Sequence, residues 1–233
     1  VSGGSPLTAR LPARYAAVAA VSAALAALVA VLIASSGGGE GGDSLDAGFA
    51  RDMGEHHAQA VDMSLIVLQT SESQDVDVLA YDIATTQSNQ IGRMQSWLVD
   101  WDLPQARTED RMAWMPEGSM AMDGMGMDPM SDAAPGSPQY RAMPGMASLA
   151  EMQDLRAAES TQAEILYLQL MITHHLAGVE MAEAAVGEGQ DPDVVDLAQA
   201  MVNGQRSEVA LMSDMLQARG ASPREDLAAL GYE

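Results

Sequence analysis

The chain has 233 residues, 48% of them hydrophobic, which is enough for one sizeable domain or two small ones. It carries 33 acidic residues against 11 basic ones, all arginine, and this net charge of −22 repels nucleic acid and anionic lipid while concentrating cations at the surface. Cysteine is absent, which removes disulfides, thiolate catalysis and thiolate metal ligands together.

Residues 1–14 contain Arg10 and Arg14, and no acid precedes Glu40. From Tyr15 to Ala34 run twenty apolar or small residues without a charge. That length just spans a bilayer, with residues 1–14 as a cytoplasmic flank and 15–34 as a transmembrane anchor. A cleaved signal peptide is the alternative, because the small residues at Ala34-Ser35-Ser36 suit a peptidase. The expected location is the cell membrane, single-pass with the domain on the extracytoplasmic side, or secretion if the segment is cleaved. Residues 35–45, with "SSGGGEGGDS", form a glycine-rich linker. Beyond residue 35, nine arginines against 33 acids leave −24 on the exported part.

An internal repeat follows at a constant offset of 118 residues: Asp46–Leu98 lies over Glu164–Leu216 without a gap. Only 12 of 53 positions are identical, but they include Met53/Met171, His56/His174, His57/His175, Met63/Met181, Gln87/Gln205 and Met94/Met212. Each copy reads as a helical hairpin. In the first, apolar residues keep helical spacing from Leu45 to about Thr70, "SESQD" breaks the pattern, and Asp75 opens a second helix through Trp101, stopped before Pro104. In the second, "GEGQDP" makes the break, with Asp191 as N-cap and Pro192 at the first helical position. Each hairpin alone leaves an apolar stripe uncovered, so the two predict an all-α, ferritin-like four-helix bundle over 46–219, with hairpins at 46–101 and 164–219 and a tail at 220–233.

Between the copies lies a methionine-rich insert. Residues 112–146 hold nine of the chain's 18 methionines, interleaved with Pro, Gly and Asp in no helical or strand period, and so read as a loop. Ser148 and Glu151 make a capping box that restarts a short helix before the second hairpin.

All four histidines of the chain sit in "MGEHHAQAVDM" and "MITHHLAGVEM". At about 100° per residue, Met53, His56, His57 and Met63 fall within an arc of roughly 120°, with the small Ala60 at its middle. Met171, His174, His175 and Met181 repeat the arrangement around Gly178. That arc is the core-facing side of a bundle helix. A histidine there can be a hydrogen-bonded core residue and a methionine can be packing. Duplication in register would instead bring four imidazoles to the middle of one bundle, where unpaired polar groups are costly. Gln87 and Gln205 are the polar members of two apolar stripes, read either as hydrogen-bond partners orienting the imidazoles or as an interhelical bond.

A di-iron bundle would carry Glu three residues before each histidine; here that position is methionine. Imidazole and thioether without thiolate suit copper, above all Cu(I), while zinc or iron remain possible. Met120, Met122, Met125, Met127 and Met130 of the insert repeat a short thioether spacing that no packing period explains, and Met143 and Met146 form "MPGM". The segment resembles the methionine motifs of extracytoplasmic copper carriers. Glu55, Asp62 and Glu180 fall off the arc, so no general base is ordered beside the histidines. A binding protein that buffers, sequesters or transfers Cu(I), partnered by a copper carrier or exporter, is therefore preferred over the two alternatives, a ferritin-like metal-dependent redox enzyme and a metal-free partner-binding module.

The duplicated "MxxHHxxAxxM", followed about 24 residues later by "QxxxIxxM", resembles the exported bacterial family known as domain of unknown function 305. The resemblance covers roughly Asp46 to Leu216, "MPGM" included. It implies a ferritin-like bundle and, for some members, an association with copper. "MITHHLAGVEM" keeps the pattern closely, whereas Gly54 and Glu55 stand where apolar residues are usual, so two halves of equal affinity are not expected.

Overall fold

The computed structural model describes residues 44–107, 110–116 and 135–224. The expected anchor at 15–34, Met120 to Met130 of the insert and the end of the tail lie outside the described residues. Among the described residues there are five α-helices and no strand, as an all-α chain requires, and no helix is long and apolar enough to cross a membrane.

Helix α1 (Leu45–Thr70) starts at Ser44, whose hydroxyl accepts from Ala47 N at 3.2 Å, with Asp46 in the first turn where the helix dipole favours an acid. Three residues later α2 (Gln74–Asp100) runs back and ends at Trp101, after which Asp102 takes φ +58°. Helix α3 (Leu149–Ala157) opens on the reciprocal cap read from the sequence: Ser148 Oγ accepts from Glu151 N at 3.3 Å and Glu151 Oε2 from Ser148 N at 2.7 Å. Helix α4 (Ser160–Glu188) carries the second histidine pair. Asp191 then caps α5 (Pro192–Ala218) by accepting from Asp193 N at 2.8 Å, with proline in the first turn.

The two hairpins pack through α1 and α4, and the apolar interior divides into two clusters. One joins the C-terminal half of α1 (Met63, Val67) and N-terminal half of α2 (Leu79, Ile83) to the N-terminal half of α4 (Leu168, Met171) and C-terminal half of α5 (Met212, Leu216). The other joins the opposite halves: Phe49 and Met53, Met94 and Leu98, Met181 and Ala185, Leu197 and Met201. Such a division requires α1 to run antiparallel to α4, and α2 to α5, as a twofold across the middle of the helices would place them.

Two buried carboxylates obey the same symmetry. Asp46, at the head of α1, accepts from Gln190 N at 3.0 Å and Asp191 N at 2.8 Å in the turn of the other hairpin. Its repeat counterpart Glu164 accepts from Glu72 N at 3.2 Å in the turn of the first hairpin. Each is 1–2% exposed, and each accepts from half-buried turn amides that lie outside the regular helical ladder. Each hairpin thus closes the turn of the other, so neither copy is complete alone.

Candidate metal centre

The arc inferred from the helical period faces inward. Met53, His56, His57, Ala60 and Met63 on α1 are at most 1% exposed, as are Met171, His174, His175 and Met181 on α4. The histidines lie between the two apolar clusters. His56 and His174, equivalent in the repeat, meet at a tilt of 31° with ring centroids 3.7 Å apart, and the His175 ring centroid lies 6.3 Å from that of His174.

Each imidazole spends Nε2 on an oxygen. His56 Nε2 donates to Pro144 O at 3.2 Å, His174 Nε2 to His56 O at 3.0 Å, His57 Nε2 to Gln90 Oε1 at 2.8 Å, and His175 Nε2 to Glu208 Oε2 at 2.8 Å. An acceptor opposite Nε2 puts the ring hydrogen there and leaves Nδ1 as a bare lone pair. Nδ1 of His56, His57 and His175 is buried with no hydrogen-bond partner, and so is Oε1 of Gln87. Every unsatisfied atom in this layer is therefore an acceptor facing no donor.

Burial keeps His56, His57 and His174 neutral. It pushes His56 and His57 from 6.5 down to about 3, against a raising influence from the Pro144 carbonyl and the Gln90 amide respectively. His174 is also driven well below 6.5, by burial first and then by the neighbouring histidines. A neutral imidazole with a free nitrogen, oriented by an oxygen on its other nitrogen, is the ligating form.

The Nε2 partners on α2 and α5 are Gln90 and Glu208, not Gln87 and Gln205. Gln87 and Gln205 are buried, at 3% and 5% exposure, one turn earlier on the same helices. Gln205 lies against Gly178, where an added Cβ would sit 2.5 Å from its Oε1. Gln90 and Glu208 are themselves 118 apart. The repeat therefore marks them too, through a polar-to-polar correspondence that a search for identities passes over.

The methionines bracket the histidine layer unevenly. Met63 and Met171 share one cluster with Met152 and Met212. Met53 and Met181 share the other with Met94 and Met201, joined there by Met112, Met143 and Met146 from the insert. The insert is held against α1 by ion pairs of Arg107 with Asp52 and Glu55 and of Arg111 with Glu55, and Asp52 Oδ2 accepts from Met112 N at 2.7 Å and Trp114 Nε1 at 2.8 Å. Glu55 thus serves the insert, as Asp62 serves Arg156 of α3 at 2.7 Å. Among the described residues no three His, Asp or Glu side chains converge on a point that could hold an ion. A metal here would have to draw on thioethers beside imidazole. Bare Nδ1 atoms in a layer bracketed by buried methionines, where the one carboxylate, Glu208, is already bonded to His175 Nε2, fit a soft cation and suit Mg²⁺ or Ca²⁺ poorly.

Comparison with known proteins agrees with this reading of the fold. Residues 46–216 match the family described as Domain of unknown function (DUF305). A DUF305 protein from Streptomyces coelicolor, described as secreted, is 43% identical over 79% of this chain and 99% of its own, with a TM-score of 0.66. A DUF305 fragment from Deinococcus radiodurans is 29% identical over 75% of this chain and 96% of its own, with a TM-score of 0.56. CopM in its Cu(I)-bound form is 21% identical over 74% of this chain and 96% of its own, with a TM-score of 0.54, a likeness of fold. Among curated proteins none matches the chain.

Proposed function

This chain belongs to the DUF305 family, and from that premise we propose that it is an extracytoplasmic copper-binding protein that buffers, sequesters or passes on Cu(I). The observation carrying the reading is the set of buried Nδ1 lone pairs on His56, His57 and His175, each ring already committed through Nε2 and none with a donor. An apolar interior tolerates such a set poorly unless a cation arrives to use it. Met53, Met63, Met171 and Met181 supply soft donors beside the rings, and the insert methionines Met120 to Met146 supply more, serving capture and relay. CopM, similar in fold, is known with Cu(I), Cu(II) and Ag bound, which supports a metal-binding reading of the shared architecture.

The long helices then form a bundle of the ferritin-like kind with an imidazole–thioether centre in place of the carboxylates of a di-iron site. An exported position is supported by the secreted Streptomyces relative; residues 15–34 serve as membrane anchor or signal, and the ion passes to a copper carrier or exporter. The net charge of −22 favours cation accumulation.

Anaerobic titration of the purified protein with Cu(I) in competition with bicinchoninate tests the proposal, with Zn(II) and Fe(II) titrated in parallel. Tight Cu(I) binding that falls at least tenfold in a His56→Gln, His174→Gln variant of unchanged helicity is expected. Binding that survives those changes, or a preference for Zn(II) or Fe(II), overturns it. Turnover of peroxide, ferrous ion or cuprous ion would move the protein to the redox-enzyme reading.

A further inference from the structure

One segment of the insert breaks the twofold at the site itself. Residues 143–147 touch both α1 and α4. Pro144 O accepts from His56 Nε2 at 3.2 Å. Gly145, at φ +70°, sits so close to α4 that an added Cβ would lie 2.8 Å from Thr173 O, 3.4 Å from His174 Cα, and in collision with the Ala177 methyl. Met143 and Met146 are 0% and 6% exposed. At the far end the half-buried Gln59 holds both backbone polar groups of one residue: its Nε2 donates to Ala147 O at 2.9 Å and its Oε1 accepts from Ala147 N at 2.6 Å. Arg141 fixes the same segment from α3's side through Met146 O at 2.6 Å and Glu151 at 2.8 Å.

Position 59 is equivalent to 177 in the repeat, and the two have diverged in the way this strap requires. On α1 a long amide reaches out to grip the backbone. On α4 an alanine leaves the space that Gly145 occupies, which a second glutamine would fill. Neither residue is a hydrogen-bond partner of a histidine ring, so the hydrogen bonds of the histidine layer do not explain the divergence.

Building on the copper reading, we propose that Gln59 is a positioning residue: its two bonds to Ala147 keep the Met143–Ala147 strap closed over the His56–His174 pair, and a bound ion leaves only when this clamp opens. The strap brings Met143 and Met146 to the cluster holding Met53 and Met181 while its Pro144 carbonyl fixes the His56 tautomer. Opening it therefore withdraws thioethers and the orienting oxygen together. The opposite methionine pair, Met63 and Met171, shares its cluster with Ala147 at the end of the strap but, among the described residues, with no methionine of the insert.

The test compares the whole chain with its Gln59→Ala, Gln59→Glu and Gly145→Ala variants, each checked for helicity by circular dichroism. In metal-free protein, amide exchange at Ala147 should quicken at least tenfold in Gln59→Ala. It should quicken less in Gln59→Glu, which keeps the acceptor for Ala147 N–H and loses the donor to Ala147 O. In Cu(I)-loaded protein, stopped-flow transfer to excess bicinchoninate should quicken at least tenfold in Gln59→Ala, with the amount of copper bound unchanged. Gly145→Ala, which pries the strap from α4 without touching Gln59, should do the same. Unchanged Ala147 exchange in Gln59→Ala overturns the clamp. Faster exchange with an unchanged release rate overturns its control of exit and leaves the copper reading standing. Wild-type protein that binds no Cu(I) overturns both.

Discussion

Acid should weaken the metal-free fold well before its carboxylates begin to titrate. His56 and His57 fall from 6.5 to about 3 on folding because burial disfavours the charged ring. The unfolded chain therefore takes up protons first as pH drops below 6.5, while the folded chain stays neutral at these rings down to about 3. A depressed histidine pKa contributes stability that is complete above the unfolded value and drains away below it. At pH 5.5 each ring has lost on the order of 1 kcal/mol, and at pH 4.5 on the order of 3 kcal/mol, at about 1.36 kcal/mol per pKa unit. The pair alone then removes on the order of 2–3 kcal/mol at pH 5.5, a large share of the roughly 5–15 kcal/mol of an ordinary domain, and the lowering of His174 adds in the same direction. The assay is urea unfolding of metal-free protein at half-unit steps from pH 7.5 to 5. Glu151, lowered to about 2, loses its contribution only below this window and does not interfere. Stability should fall by about 3 kcal/mol or more per pH unit near pH 5, and a His57→Gln variant should show a slope shallower by about 1.4 kcal/mol per unit. A profile flat between pH 6.5 and 5 would show that the rings are hydrated or already protonated, and the site as described would be wrong.

Both crossed carboxylates should matter: Asp46→Asn should destabilise by about 1–3 kcal/mol in urea, and Glu164→Gln, which also breaks the ion pair with Arg219 at 2.7 Å, by at least as much; a twofold reading fails if only one matters. Met53→Leu with Met171→Leu conserves core volume and should change stability by less than about 1.5 kcal/mol while lowering Cu(I) affinity at least tenfold; unchanged affinity would make the thioethers packing alone. Gly178→Ala crowds Gln205 Oε1 and should destabilise by about 1–2 kcal/mol, with Gln205→Ala in the same chain relieving most of it.

Local chemistry made most of the frame readable before any coordinates. Asp191 with Pro192 and Ser148 with Glu151 fix helix starts through bonds within a few residues of chain, and both caps are present. The inward arc was equally legible, because a helix fixes which residues share a face whatever it packs against. The partners of the imidazoles were not. Gln87 and Gln205 stand out as polar interruptions of apolar stripes, but which turn of α2 meets His57 depends on the axial offset of two packed helices, and one turn of slip exchanges Gln87 for Gln90. The strap was hidden for a related reason: "MPGM" announces a turn and two thioethers, while its seat is set by Gln59 and Ala177, small differences within a repeat that attracts attention for its identities.

Burial also changes what pH can say about copper. With an ordinary imidazole pKa of about 6.5, protons would compete for histidine ligands as soon as pH fell through about 6, and that fall would separate a histidine site from a methionine one. In this fold burial lowers His56 and His57 to about 3, so between pH 7 and 4 protons scarcely compete for these two rings while the chain stays folded. Acid acts instead through the unfolding equilibrium, which bound copper opposes by mass action. Copper should thus be held at pH 5 by folded protein and lost cooperatively with the helices at lower pH. Thioether binding by an insert free of titrating ligands has no reason to follow that transition. The separation between the two kinds of site then appears as coincidence, or its absence, between copper release and loss of helical circular dichroism. Histidine-site copper that leaves gradually near pH 6 with the helices intact would mean that the rings open to water before the fold does.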